Sequence, residues 1–137
     1  VKTNYISGQL DKPLNPKNRF FLNFAYDGNK NSKGANWKYD LTYNLIGEQR
    51  LPSTAGSPIE YRMDKFTPDI TLVNTQLTRV FNKSFETYLG IENLTNYKQM
   101  NPIISSEDPF GQYFDSTFVY GPLFGRMYYL GLRYRIN

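Results

Sequence analysis

In five stretches of this chain, apolar and polar side chains alternate with a period of two, and no window repeats apolar residues at the three-and-four spacing of an amphipathic helix. The stretches are "RFFLNFAY" (Arg19 to Tyr26), "WKYDLTYNLIGE" (Trp37 to Glu48), "ITLVNTQLTRVF" (Ile70 to Phe81), "FETYLGIE" (Phe85 to Glu92) and the closing run from about Met127 to Asn137. Period two places successive side chains on opposite faces of a strand, so each stretch is expected to present one apolar and one polar face. The expected fold class is therefore all-β and antiparallel.

The two faces want different surroundings. One carries Phe20, Leu22, Phe24 and Tyr26; Trp37, Tyr39, Leu41, Tyr43 and Leu45; Val73, Thr75, Leu77, Arg79 and Phe81; Phe85, Thr87, Leu89 and Ile91; and Tyr128, Leu130, Leu132, Tyr134 and Ile136. Arg79 is its single charge. The other carries Arg19, Lys38, Asp40, Glu48, Glu86, Glu92, Arg133 and Arg135. One face is apolar and the other is wet.

Connections are of two kinds. Asp27 to Asn36 and Asn82 to Ser84 are short and rich in Asn, Lys, Gly and Ser, whereas Arg50 to Asp69 and Leu94 to Arg126 are long and hold most of the prolines. Antiparallel strands reverse at each step, so the short links share one end of the sheet and the long links the other. Leu10 to Asn18 is expected to be another long-end link, and Val1 to Tyr5 the tail of an earlier strand.

Composition narrows the function classes. With no Cys and no His, thiol or imidazole catalysis, disulfide frameworks and zinc fingers are excluded. Paired carboxylates would remain for catalysis, but Glu86 and Glu92 lie three two-residue steps apart on one strand face, ~20 Å, too far for glycosidase chemistry. No enzyme activity, cofactor or metal is expected. The net charge is +4, but the basic residues are scattered along the sequence, and nucleic acid is not an expected partner.

The choice between water and membrane rests on the aromatic residues. Tyr 12 and Phe 10 supply most of a 17% aromatic content, yet the mean hydropathy is −0.59. A soluble sandwich core is filled chiefly by Val, Ile and Leu, whereas here Tyr26, Trp37, Tyr39, Tyr43, Tyr128 and Tyr134 share the apolar face, mostly near strand ends. Amphipathic rings at strand ends suit the two interfaces of a bilayer. A strand of about ten residues rises ~33 Å and at ~40° tilt spans ~25 Å, the height of an outer-membrane apolar band. Arg79, beside a short link, can snorkel to the interface. The alternative is a soluble antiparallel β domain that binds carbohydrate through aromatic side chains.

Particular motifs carry a resemblance. "LGIENLTNYKQ" (Leu89 to Gln99), "YNLIGEQRLPS" (Tyr43 to Ser53) and "FDSTFVYGPLFGRMYYLGLRYRIN" (Phe114 to Asn137) resemble the C-terminal barrel region of TonB-dependent outer-membrane receptors of Bacteroidetes type. The resemblance covers the chain from about Arg19 onward. It implies an antiparallel transmembrane β-barrel segment, the last five to six strands of a 22-stranded plugged barrel, with the plug domain and earlier strands lying before Val1. It further implies residence in the bacterial outer membrane and uptake of a scarce nutrient such as a siderophore, haem, cobalamin, peptide or glycan. Energy would come from the inner membrane through the TonB complex. The implied partners are the rest of the barrel and its plug, outer-membrane lipid and a surface lipoprotein.

By the same resemblance, Tyr129, Gly131, Tyr134 and Ile136 occupy the register of a C-terminal assembly signal, although the chain ends on Asn137 rather than an aromatic residue. Tyr61, Arg62, Phe110, Tyr113, Phe114 and Tyr120 are the ligand-facing candidates of the two long loops. Glu86, Glu92, Arg133 and Arg135 are expected to form charged pairs on the lumen wall.

Overall fold

The computed structural model describes residues 2–5 and 8–136. Seven strands form: β1 (Lys2–Tyr5), β2 (Gly8–Asp11), β3 (Arg19–Asp27), β4 (Asn36–Ile46), β5 (Ile70–Val80), β6 (Phe85–Glu92) and β7 (Met127–Tyr134). The described residues hold a single short helical turn, Ile59–Tyr61, and the fold class is all-β with antiparallel sheets, as expected. Strands β3 to β7 make one five-stranded sheet in sequence order. The sheet is open, and β3 and β7 are its edges.

Register follows the sequence alternation. Leu77 pairs with Leu89 and Leu89 with Leu130; Arg79 pairs with Thr87 and Thr87 with Leu132; Thr75 pairs with Ile91 and Ile91 with Tyr128. The apolar sets of three strands therefore share one face, since a slip of one residue would have moved an entire set to the other side. At the far edge, Gly28 N–H donates to Trp37 O at 2.8 Å and Gly47 N–H to Asn18 O at 2.9 Å. Those two bonds bracket a register that sets Phe24 beside Leu41.

The amino-terminal segment differs from expectation. Lys2–Tyr5 does form a strand, but it pairs back on Gly8–Asp11, from Lys2 opposite Asp11 to Tyr5 opposite Gly8. Leu10 and Asp11 thus belong to a hairpin rather than to a link. Gly8, which opens β2, holds φ 117°, a backbone conformation that L side chains rarely adopt. Val1 and Asn137 lie outside the described residues.

The chain divides into two compact units. One gathers Val1–Arg19, Ile46–Ile70 and Lys98–Leu123, and the other holds Phe20–Leu45, Thr71–Tyr97 and Phe124–Asn137. The first contains a small buried cluster of Leu51, Ile104 and Phe118, against which Tyr61, Met63 and Tyr120 pack. The long loops are therefore ordered by their own apolar contacts and by isolated bridges, Arg50 with Phe66 and Ile104 with Asp115. That answers the physical objection to structureless loops of such length in a compact fold.

In the second unit the apolar face stays uncovered. Leu89 is 52% exposed, Leu132 69% and Leu130 75%. Burying a leucine side chain stabilises a soluble domain by about 1.5–3 kcal/mol, and these leucines, in the centre of their strands, gain little of it.

Candidate functional site

Three constellations carry what chemistry this chain has: the apolar face, the charged face behind it, and the loop cluster.

On the apolar face, aromatic rings mark both ends of the strands. Tyr26, Trp37, Phe81, Phe85 and Tyr134 lie toward the short links, Phe20, Tyr43 and Tyr128 toward the long ones, with Leu22, Leu41, Leu77, Leu89, Leu130 and Leu132 between. Phe81 stacks on Phe85 at 5.4 Å and Phe20 meets Tyr43 edge-on at 6.1 Å. Arg79, the face's one charge, holds its guanidinium 4.9 Å from the Trp37 ring centroid and 5.7 Å from that of Phe81. Cation–π attraction of this kind lets a charge sit among aromatic residues.

The charged face carries two reciprocal clasps. Tyr129 lies across Gly90 and Tyr88 lies across Gly131, and these residues are direct ladder partners. A Cβ added at Gly90 would lie 2.1 Å from Tyr129 Cζ, and one at Gly131 would lie 2.1 Å from Tyr88 Cζ. Glycine is required because the two rings occupy that space. The rings meet edge-on at 6.2 Å, and Tyr129 O–H donates to Gln76 Oε1 at 3.1 Å, tying β7 through β6 to β5. Tyr129 and Gly131, expected in an assembly signal, are thus each half of a clasp. Tyr134 faces the other way, opposite Phe85, and Ile136 is 90% exposed.

Of the charges expected on a lumen wall, Glu86 and Arg133 are ladder partners and form an ion pair. Glu92 pairs in register with Met127 and is exposed. Arg135 extends β7 through its backbone N–H, which donates to Ser84 O at 2.8 Å.

The loop candidates separate. Tyr61 stacks on Tyr113 with ring centroids 5.4 Å apart, and its O–H donates to Glu107 Oε1 at 3.2 Å, beside a cavity of about 780 Å³ lined by residues 60–63 and 101–107. Arg62 donates from Nε to Ser57 O at 2.9 Å and borders the same cavity. Tyr120 packs against the buried cluster. Phe114 is exposed, and Phe110 projects wholly into solvent.

Sequence reasoning missed the polar knot that closes the long second loop. Asn93, at φ 51° and 6% exposed, donates from Nδ2 to Tyr97 O at 2.6 Å and Phe124 O at 3.1 Å, while its Oδ1 accepts from Tyr97 N–H at 3.0 Å. Asn96 Oδ1 accepts from Arg126 N–H at 2.9 Å, and the Arg126 guanidinium donates to Leu94 O at 2.6 Å. Gln99, 4% exposed, donates to Phe118 O at 2.7 Å and accepts from the N–H groups of Tyr120 and Gly121. The signal was present as three amides in "NLTNYKQ", whose distant partners lie about thirty residues away for Asn93 and Asn96 and about twenty for Gln99. Asn93→Ala strands several buried backbone groups, each costing about 1–3 kcal/mol. A loss of about 2–4 kcal/mol is expected, together with new protease cleavage between residues 94 and 126.

Lys17 and Glu48 pair beside the isolated bridge of Pro16 with Gln49, and the hydrogen bond to Glu48 raises the Lys17 pKa above its ordinary value of 10.5. A raised lysine pKa contributes stability below the unfolded value and loses it as pH rises through the folded one. Lys17→Met should therefore leave stability above that range unchanged and lower it slightly at neutral pH, as read from thermal midpoints at the two pH values.

No protein-family model matches this chain, nor does any curated protein or solved structure.

Proposed function

We propose that this chain is part of the wall of a TonB-dependent outer-membrane receptor that imports a scarce nutrient. The observation that carries the reading is the uncovered apolar face, leucine in the middle and aromatic at both ends, on a sheet whose two edges are open. In water such a face forfeits the burial that stabilises a sheet; in a bilayer lipid covers it, and the ring belts lie at headgroup depth. Open edges in hydrocarbon would leave backbone groups unsatisfied at several kcal/mol each, so further strands must complete a closed barrel. Five strands fall short of the eight of the smallest single-chain barrels. The charged face then lines the lumen, the short links face the periplasm, and the ordered loop unit supplies the extracellular surface for ligand capture.

The test is to prepare the chain in buffer and again within the intact barrel in detergent, followed by size exclusion and circular dichroism. Aggregation in buffer, with β-structure recovered only in detergent or lipid, is the expected result. A monodisperse chain that unfolds cooperatively in plain buffer would overturn the membrane reading and promote the soluble carbohydrate-binding domain.

A further inference from the structure

The sequence scatters its cations, but the sheet collects five of them. Lys30 and Lys83 come from the two short turns, Lys38 from β4, and Arg133 and Arg135 from β7 and its extension; all five line one cleft of about 320 Å³. Among the described residues, Glu86 is the only carboxylate that lines it. Glu86 is taken by Arg133, and Lys38 pairs with Asp27 at 3.4 Å. Among the described residues, no ion pair neutralises Lys30, Lys83 or Arg135.

Both turns are fixed by an asparagine. Asn31 Oδ1 accepts from the N–H groups of Lys33 and Ala35, and Asn82 Oδ1 accepts from those of Ser84 and Phe85. The turns are also neighbours, since a Cβ on Gly34 would lie 3.8 Å from Lys83 Cγ. The lysines are therefore carried on ordered backbone rather than on free loops.

Strands β4 and β7 are three interstrand spacings apart, roughly 14 Å. Lys30, Lys83 and Arg135, which no carboxylate among the described residues pairs, carry more positive charge than one oxyanion neutralises, whereas a chain of phosphates can match it. Arg133 and Arg135 lie on the same face about 7 Å apart, and each guanidinium presents a planar fork that matches a phosphate. We infer that this cleft binds a soluble ligand carrying more than one phosphate group. Lys38, Arg133 and Arg135 lie on the face opposite Leu132 and Tyr134, away from any headgroup lying against the apolar side.

Titration calorimetry of the intact barrel in non-ionic detergent tests the site, with tripolyphosphate as the probe and sulfate at matched ionic strength as the comparison. Saturable binding of tripolyphosphate is expected, weakening as salt rises. Lys83→Glu combined with Arg135→Glu should weaken it by about tenfold or more, while Lys65→Glu, in the loop unit, leaves it unchanged. Circular dichroism of the double variant establishes that the sheet is intact. Sulfate binding equally well, no saturable binding, or affinity indifferent to the double variant would each overturn the proposal. So would competition by octaglutamate at equal concentration, which would assign the cleft to an acidic polypeptide. Loss of binding in phosphatidylglycerol nanodiscs, with binding retained in phosphatidylcholine ones, would instead assign it to lipid headgroups. The cleft is a property of the sheet alone, so failure of any of these tests leaves the membrane reading standing, and the converse also holds.

Discussion

Leu130→Arg is expected to cost about 2–4 kcal/mol of folding stability in lipid, the charge of an arginine at the bilayer midplane. Leu130 sits at the centre of β7, opposite Leu89, which is itself opposite Leu77. Leu130 lies three residues from the start of β7, whereas Arg79 lies one residue from the end of β5, so the new guanidinium has farther to reach than that of Arg79. Phe21→Arg introduces the same charge on the other face of the sheet, in β3, where Phe21 is already 62% exposed. It should shift stability by no more than about 0.5 kcal/mol. Urea titration of the barrel in liposomes compares the two. The contrast discriminates between readings because Leu130 is 75% exposed. In a soluble domain, Leu130→Arg would be neutral and would improve solubility, so a stability equal to the parent's would overturn the lipid-facing assignment.

Gly131→Val should cost about 2–4 kcal/mol through a different mechanism. The new side chain meets the Tyr88 ring, which must leave its place, and overpacking of this kind costs about 1–3 kcal/mol. The displaced ring also loses its edge-on contact with Tyr129, worth about 0.5–1.5 kcal/mol. If the clasp is the cause, removing the ring should relieve the clash. Tyr88→Ala in the Gly131→Ala background is then expected to cost less than the sum of the single changes, a non-additivity of about 0.5–3 kcal/mol for residues in contact. Strictly additive costs would mean that the ring and the glycine do not share that space. The effect belongs to the ladder between β6 and β7 and is expected in detergent and lipid alike.

Much of the sheet was legible beforehand because its signal is local. A strand's face is fixed by residue parity, so "FETYLGIE" and "MYYLGLRY" each show their apolar set without reference to any partner. The long loops were harder to read. Leu51, Ile104 and Phe118 meet from three distant segments, and no periodicity announces such a meeting. The aromatic loop candidates divided for the same reason: Tyr61 and Tyr113 stack on each other, whereas Phe110 touches solvent alone. The second strand of the amino-terminal hairpin was missed, and Leu10 and Asp11 were placed in a link, because the four residues of Gly8–Asp11 show no clear alternation.

By itself the sequence determined that this chain is antiparallel β, which side chains share a face, and which ends carry short and long connections. Each follows from alternation and turn chemistry between near neighbours. Tertiary structure alone decided that nothing in the described chain covers the apolar face, that two tyrosines fill the space above two glycines, and that cations spaced from Lys30 to Arg135 share one cleft. These are contacts across strands, and strand pairing brings together residues whose separation in sequence says nothing of their separation in space.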